Sequence, residues 1–486
     1  MSLKTNFFFR DKFTKQKDFY LRIFTEIISK LLNFSVIPLI TYNLGASEYG
    51  NYVQVLCIIS GLAPLICLGL NFTIIKKLAG VKKMEKNTEG FLICFILMSF
   101  STLVILIISN IPILTTNIEL PATANIIIFL AYLFALEVLI TELLRSKMKT
   151  NQFCFLQCLN SFLLLIFIMI ACYYMSFNLS IILNILFFVK SIIFVIGIYF
   201  LFKSKIISLK ITKFSNTIIK KFLMPGLIFM LTGLAEWSLN FSDKIILGKY
   251  LSAELCAIYF SVYLISTGVL SLGSIFWWRL FPEISNYNNK QKNTKIFNEI
   301  ASSNIKYINL VIPFILLITF IGPLLLSYLL NLKFDNLGII IFFYSSGLFF
   351  HQISTGWEFF CYLKNKGKYV FINTIFWGFV SLILYIIFIP KFSIFGAVIV
   401  FLSMRILSSA SLKLFSKKIG YNSNLVNSKL IQNEILNIFI VLITYVCLKN
   451  LLFTDESIFN SIAITVICLF FYFLLKNFIY LLKRSN

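Results

Sequence analysis

Residues 180–202 read SIILNILFFVKSIIFVIGIYFLF, and residues 203–222, directly after them, read KSKIISLKITKFSNTIIKKF. The first stretch has one charged side chain, Lys190; the second has Lys203, Lys205, Lys210, Lys213, Lys220 and Lys221. A helix of about 20 apolar residues crosses the ~30 Å hydrocarbon layer of a bilayer. Backbone groups in lipid must bond within the spanning structure, so such a stretch reads as a helix. The short alternating strands of a barrel do not occur. The lysines that follow mark the side on which the helix ends, because basic residues collect in cytoplasmic loops.

The same alternation runs through the chain. Apolar runs lie at about 20–43, 52–72, 90–113, 122–144, 153–175, 180–202, 223–248, 255–280, 307–327, 338–361, 369–389, 394–415, 430–450 and 458–480. Of 43 Lys and Arg residues, 34 sit before the first run, in every second gap, or after the last run. The opposite gaps hold Lys249, Lys333, Lys391 and Lys449. An all-α integral membrane protein of about 14 transmembrane helices follows, with both termini cytoplasmic. A composition 59% hydrophobic, with mean hydropathy +0.91, excludes a soluble domain of 486 residues. The formal charge of +24 is spread over short loops, which speaks for topology and contact with membrane lipids and against nucleic acid.

Several chemistries are also excluded. There is no G-x-x-x-x-G-K-[ST] phosphate loop and no C-x-x-C pair. The ten cysteines fall in or beside apolar runs and read as packing residues; one histidine, His351, cannot make a His-rich metal site. No metal, cofactor or catalytic residue is expected. The N-terminus is polar and basic and lacks the cleavage pattern of a signal peptide. Residues 203–222 alternate basic and apolar side chains, as either an interfacial helix or a plain linker would.

Ionisable side chains inside the runs are costly, about 2.5–3.5 kcal/mol each on insertion scales, and so are the functional leads. In the first run Arg22, Glu26 and Lys30 recur every four residues and form one stripe. A cationic wall for a diphosphate and an internal salt-bridge ladder both fit that stripe. In the seventh, Glu236, Asn240, Asp243 and Lys244 share an arc; Asp243 can carry a proton or sodium ion, or fix packing through an ion pair. In the tenth, His351, Thr355, Glu358 and Tyr362 share a face, as a proton relay or a polar helix seam would. Lys190 and Arg405 occupy the sixth and twelfth runs and fit either a diphosphate or a carboxylate such as Glu137 or Asp243. The diphosphate candidates are therefore Lys30, Lys190, Lys244 and Arg405. The proton or ion relay candidates are Glu26, Glu236, Asp243, His351 and Glu358.

The segment Leu44-Gly-Ala-Ser-Glu-Tyr-Gly50-Asn-Tyr52 returns in weaker form as Leu251-Ser-Ala-Glu-Leu-Cys-Ala257-Ile-Tyr259. With Leu68-Gly69-Leu70, Asp243-Lys-Ile-Ile-Leu-Gly248 and Phe281-Pro282-Glu283 in order, the chain resembles the Wzx-type polysaccharide flippases of the MOP (MATE-like) exporter superfamily. Ala257, where that family often has Gly, departs from the pattern. The resemblance implies two six-helix lobes, at 1–215 and 216–420, around a cavity open alternately to each side, with 421–486 as two further helices. It also implies a substrate: an undecaprenyl-pyrophosphate-linked oligosaccharide moved across the bacterial inner membrane for O-antigen or capsule assembly. A polysaccharide polymerase and a chain-length regulator are the implied partners. A MATE-type cation or drug antiporter is the alternative, and it would rely on carboxylates more than on bases. A membrane glycosyltransferase or polymerase is disfavoured by the short outer gaps.

Overall fold

A computed structural model describes residues 2–421 apart from 79–82, 111–122, 175–176, 209–215, 290–292, 331–333, 335 and 365. The helices are α1 (Ser2–Leu44), α2 (Ala46–Cys67), α3 (Leu70–Leu78), α4 (Met84–Ser109), α5 (Ala124–Ser146), α6 (Thr150–Tyr174), α7 (Leu179–Lys203), α8 (Asn216–Tyr250), α9 (Ala253–Asn289), α10 (Asn293–Leu330), α11 (Leu337–Leu363) and α12 (Lys368–Lys418). Among the described residues there is no strand, and eleven of the helices are long and apolar enough to cross a membrane. The runs expected at 430–450 and 458–480 lie outside the described residues.

One of the eleven holds two crossings. α12 has 51 residues, about 76 Å at 1.5 Å per residue, and contains Pro390 and a non-helical Ser393 (φ 54°, ψ −139°). Its arms fold back on each other. The Tyr369 and Phe415 rings lie 5.3 Å apart, Asn373 Nδ2 donates to Ser408 O at 3.2 Å, and Trp377 Nε1 donates to Ser411 Oγ at 2.9 Å. A Cβ on Gly396 would meet Phe388 O at 2.4 Å, an approach that only a reversal permits. The two runs expected at 369–389 and 394–415 are these arms.

The described residues form two compact units that part between Ala257 and Ile258. In the first, α8 packs along α2 and α3. The expected lobe boundary lies at 215/216, ahead of α8.

The second run departs from its expected form. In place of one helix over 52–72, α2 stops at Cys67, Leu68 (φ 47°) and Gly69 (φ 65°) turn left-handed, and α3 begins at Leu70. Irregular backbone at membrane depth needs partners from the protein. Ser101 of α4 supplies one, donating its hydroxyl to Ile66 O at 2.8 Å. Lys147 supplies another, donating Nζ to Leu78 O at the end of α3 (2.7 Å) and to Asn87 Oδ1 (2.9 Å). Burial lowers the Lys147 pKa. The segment 204–208 forms turns and is tied to α4 through Ser208 N, which donates to Thr88 Oγ1 at 2.8 Å; the rest of the expected interfacial stretch, 209–215, is outside the described residues.

The break is closed by α8. A Cβ on Gly69 would meet Gly226 O at 2.1 Å, and one on Gly226 would meet Leu68 O at 2.6 Å. The antiparallel seam continues with Trp237 Nε1 donating to Cys57 O at 2.8 Å and with Gly248 against Gln54. It ends where Gly50 meets the start of α9: a Cβ there would lie 1.8 Å from Ala253 O. The two related segments at 44–52 and 251–259 thus touch through their backbones at Gly50.

Gly69→Ala puts an L side chain at positive φ and into the α8 backbone. It is expected to destabilise the protein by about 2–4 kcal/mol, read as a lowered thermal midpoint in detergent. Ser101→Ala removes one hydrogen bond at the same break and should cost about 1 kcal/mol.

Candidate functional site

The first unit carries the polar stripe on α1. Tyr20, Phe24, Ile27 and Leu31 are exposed on one face, as lipid-facing residues of a membrane helix are. Arg22, Glu26 and Lys30 lie on another face and are partly buried. The structure extends their stripe to Asn33, which is exposed although it points away from the apolar exposed face. Further along, the same face is closed by Ile37 and Ile40. It is therefore polar and open in the half nearer the basic end, and apolar and shut in the other half. The extension was available in the sequence as the spacing i, i+4, i+8, i+11, but an uncharged residue gave no reason to follow it.

Arg22 lies over the Phe153 ring of α6, its guanidinium carbon 5.7 Å from the centroid. Glu26 and, on α5, Glu142 and Arg145 act on it electrostatically. Glu142 in turn accepts from Arg145 Nη1 at 3.3 Å through each carboxylate oxygen. Opposite charges thus gather near the basic end of this unit.

Lys190 of α7 is buried and pairs with Glu137 of α5. Nζ donates to Oε2 at 2.6 Å and lies 4.0 Å from the Phe134 ring centroid. Of the two readings of Lys190, the geometry displays neutralisation of Glu137. Lys244 and Asp243 of α8 are fully buried and bonded to each other at 3.0 Å. Lys244 Nζ also donates to Asn240 O, and Cys256 Sγ donates to Lys244 O at 3.2 Å. Cys57 and Cys256, likewise fully buried, complete the surroundings of this pair. Glu236, one turn before Asn240, is partly buried and accepts from Asn240 Nδ2 at 3.4 Å.

In the second unit, Arg405 of α12 is buried. Its Nη1 lies 3.3 Å from His351 Nδ1 of α11, and its guanidinium carbon lies 5.5 Å from the Phe401 ring centroid. The Phe401 ring stacks on Tyr344 at 4.1 Å. Glu358 is on the His351 face but seven residues on, about 10 Å along the axis, too far for a direct hydrogen bond between them. A groove of about 320 Å³ opens on α10 beside Asn298, Ser302 and Lys306, and none of the predicted site residues lines it. Among the described residues, no group of three His, Cys, Asp or Glu could hold a metal ion.

Sequence comparison identifies the family: residues 16–288 match the polysaccharide biosynthesis protein family. The chain belongs to that family. Among curated proteins, none has a significant sequence match to it. Solved structures share its fold. A lipid II flippase, MurJ, in an inward closed conformation aligns with TM-score 0.69 at 17% identity, covering 95% of this chain and 99% of that one. An inward-facing multidrug resistance MATE transporter of the MOP superfamily aligns with TM-score 0.61 at 16% identity, covering 82% and 94%. A MOP transporter from Pyrococcus furiosus, whose binding pocket is described as of reverse polarity, gives 0.60 at 14%, covering 83% and 95%. This family member is thus a multi-pass membrane protein, helical throughout its regular described structure, that shares its fold with these transporters.

Glu137→Gln strands the Lys190 ammonium and should cost about 3 kcal/mol of stability, whereas the double change Glu137→Leu with Lys190→Met should recover most of it. Thermal unfolding of the purified variants checks both.

Proposed function

We propose that this protein is a flippase that moves an undecaprenyl-pyrophosphate-linked oligosaccharide across the bacterial inner membrane, both termini being cytoplasmic, for O-antigen or capsular polysaccharide assembly. Membership of the polysaccharide biosynthesis family supports the pathway. The observation that carries the mechanism is the α1 face, polar and open toward the basic end and closed beyond Ile37. Lys30, with Arg22 below it, gives that face the charge to receive a diphosphate entering from the basic side. Glu26 between them limits the net charge, so the anion is held weakly enough to leave again.

The other intraspan bases have different roles in this reading. Lys244 is spent on Asp243, the preceding residue of its own helix, beside the α2–α8 seam. Lys190 and Arg405 have a carboxylate and an imidazole beside them. Each is a candidate, within its own unit, to exchange that partner for a phosphate group. His351, next to Arg405, and the carboxylates Glu358 and Glu236 are the remaining groups through which a proton or ion gradient can act. The polysaccharide polymerase and chain-length regulator are the partners that take the unit onward.

Reconstituted into vesicles with a fluorescent lipid-diphosphate oligosaccharide, the protein should move the lipid to the far leaflet. Lys30→Ala should slow that movement at least about tenfold, the loss of one charge-assisted contact. Unchanged movement by Lys30→Ala would sink the cationic-face mechanism. Efflux of organic cations without any lipid movement would instead favour the antiporter.

A further inference from the structure

The cytoplasmic-half polar face of α1 has a neutral counterpart on α6. Three contacts set the register of the two helices: Arg22 over the Phe153 ring at 5.7 Å, Ser29 Oγ to Cys158 Sγ at 3.9 Å, and Cys172 Sγ to Leu39 O at 3.8 Å. Numbers rise together, so α1 and α6 run parallel. Asn160, two residues beyond Cys158, is level with the stretch between Lys30 and Asn33.

On α6 the exposed apolar residues include Phe155, Phe162, Met169 and Tyr173, on one face. Gln157 and Asn160 lie on the other side, on the face that further along buries Leu164, Ile168 and Ala171. This face repeats the design of α1, polar in one half and apolar and shut in the other. Gln157 Oε1 and Asn160 Oδ1 are both buried and have no hydrogen-bond partner among the described residues. A buried acceptor left without a donor costs about 1–3 kcal/mol, so two on one face, within one turn, call for donors.

We propose that Asn33, Gln157 and Asn160 form a subsite for the hydroxyl groups of a sugar, next to the charged end of the α1 stripe. Amides fit such a ligand. Each is neutral and presents both a donor and an acceptor, as each sugar hydroxyl does. A metal cation would find no carboxylate among the three, and a diphosphate no charge. The inference rests on the flippase reading and adds to it which side chains recognise the glycan: Lys30 faces the diphosphate, and the amides, at the same level and further in, face the first sugar. A site built to hydrogen-bond a hydroxyl discriminates strongly against a ligand that lacks it, because its own polar groups are then left unmet.

The test compares two probes on the full-length protein in nanodiscs: undecaprenyl diphosphate, and the same lipid carrying an N-acetylhexosamine-headed trisaccharide. Wild type should bind the sugar-bearing lipid more tightly. Gln157→Leu, Asn160→Leu and Asn33→Leu should each weaken that probe about tenfold and leave the sugar-free lipid unchanged, the effect of one lost hydrogen bond to a built site. Asn33 is exposed, so its variant tests the idea even where a core variant fails to fold, and melting curves identify such failures. Equal loss of both probes, or no loss of either, overturns the subsite. Wild type binding both lipids equally overturns the subsite and leaves the flippase standing. Wild type binding neither overturns the flippase reading itself.

Discussion

A peptide group in a bilayer has no water to bond, and the first unit is organised by how it meets that constraint where a helix breaks. At Leu68–Gly69 the helical ladder is interrupted and the backbone turns left-handed. Three elements converge there. Ser101 takes up a released carbonyl, Lys147 takes up the end of α3, and α8 closes over the break with Gly226 against Gly69. The close approach needs two residues without Cβ atoms, so the same glycine that permits the turn permits the contact. Small residues at helix contacts are the usual means of association in lipid, where hydrophobic burial gives little drive.

Because α2 and α8 run antiparallel along their length, a contact at Gly69 fixes the rest of the seam: Trp237 on Cys57, Gly248 on Gln54, and Gly50 on Ala253. The Asp243–Lys244 pair lies in α8 beside this seam, wholly buried. The resemblance assigns α2 and α8 to different lobes, so in alternating access this seam would have to open. A buried ion pair separated from neither partner survives such a movement intact, whereas one split between lobes would have to break. That Asp243 finds its counter-charge on the next residue of its own helix is consistent with a moving interface.

The charges inside the spans show how far one sequence can be read. Arg22, Glu26 and Lys30 fall on one stripe by spacing alone, and the structure keeps them on one face. The sequence leaves Lys190 a diphosphate or a carboxylate such as Glu137 or Asp243 as partner, and Glu137 sits at 2.6 Å. By contrast, nothing in the spacing of His351 and Arg405, 54 residues apart, brings them together; the packing of α11 on α12 does so. Gln157 and Asn160 carry no charge and so give the sequence no signal; their oxygens, buried without donors among the described residues, single them out.

The sequence by itself determined that this is a helical membrane protein, where most of its spans lie, and which of their ends are basic. Those properties follow from the local cost of placing each side chain in hydrocarbon or in water, which is a sum over residues in order. It also marked Leu68-Gly69-Leu70 as a motif without disclosing that it breaks a helix. Tertiary structure alone decided the break, the seam through Gly69 and Gly226, and the closing of the α1 face beyond Ile37. Each depends on a distance of a few ångströms between residues far apart in the chain. Such distances are set by steric fit and hydrogen bonding between helices, and the order of residues along one helix does not contain them.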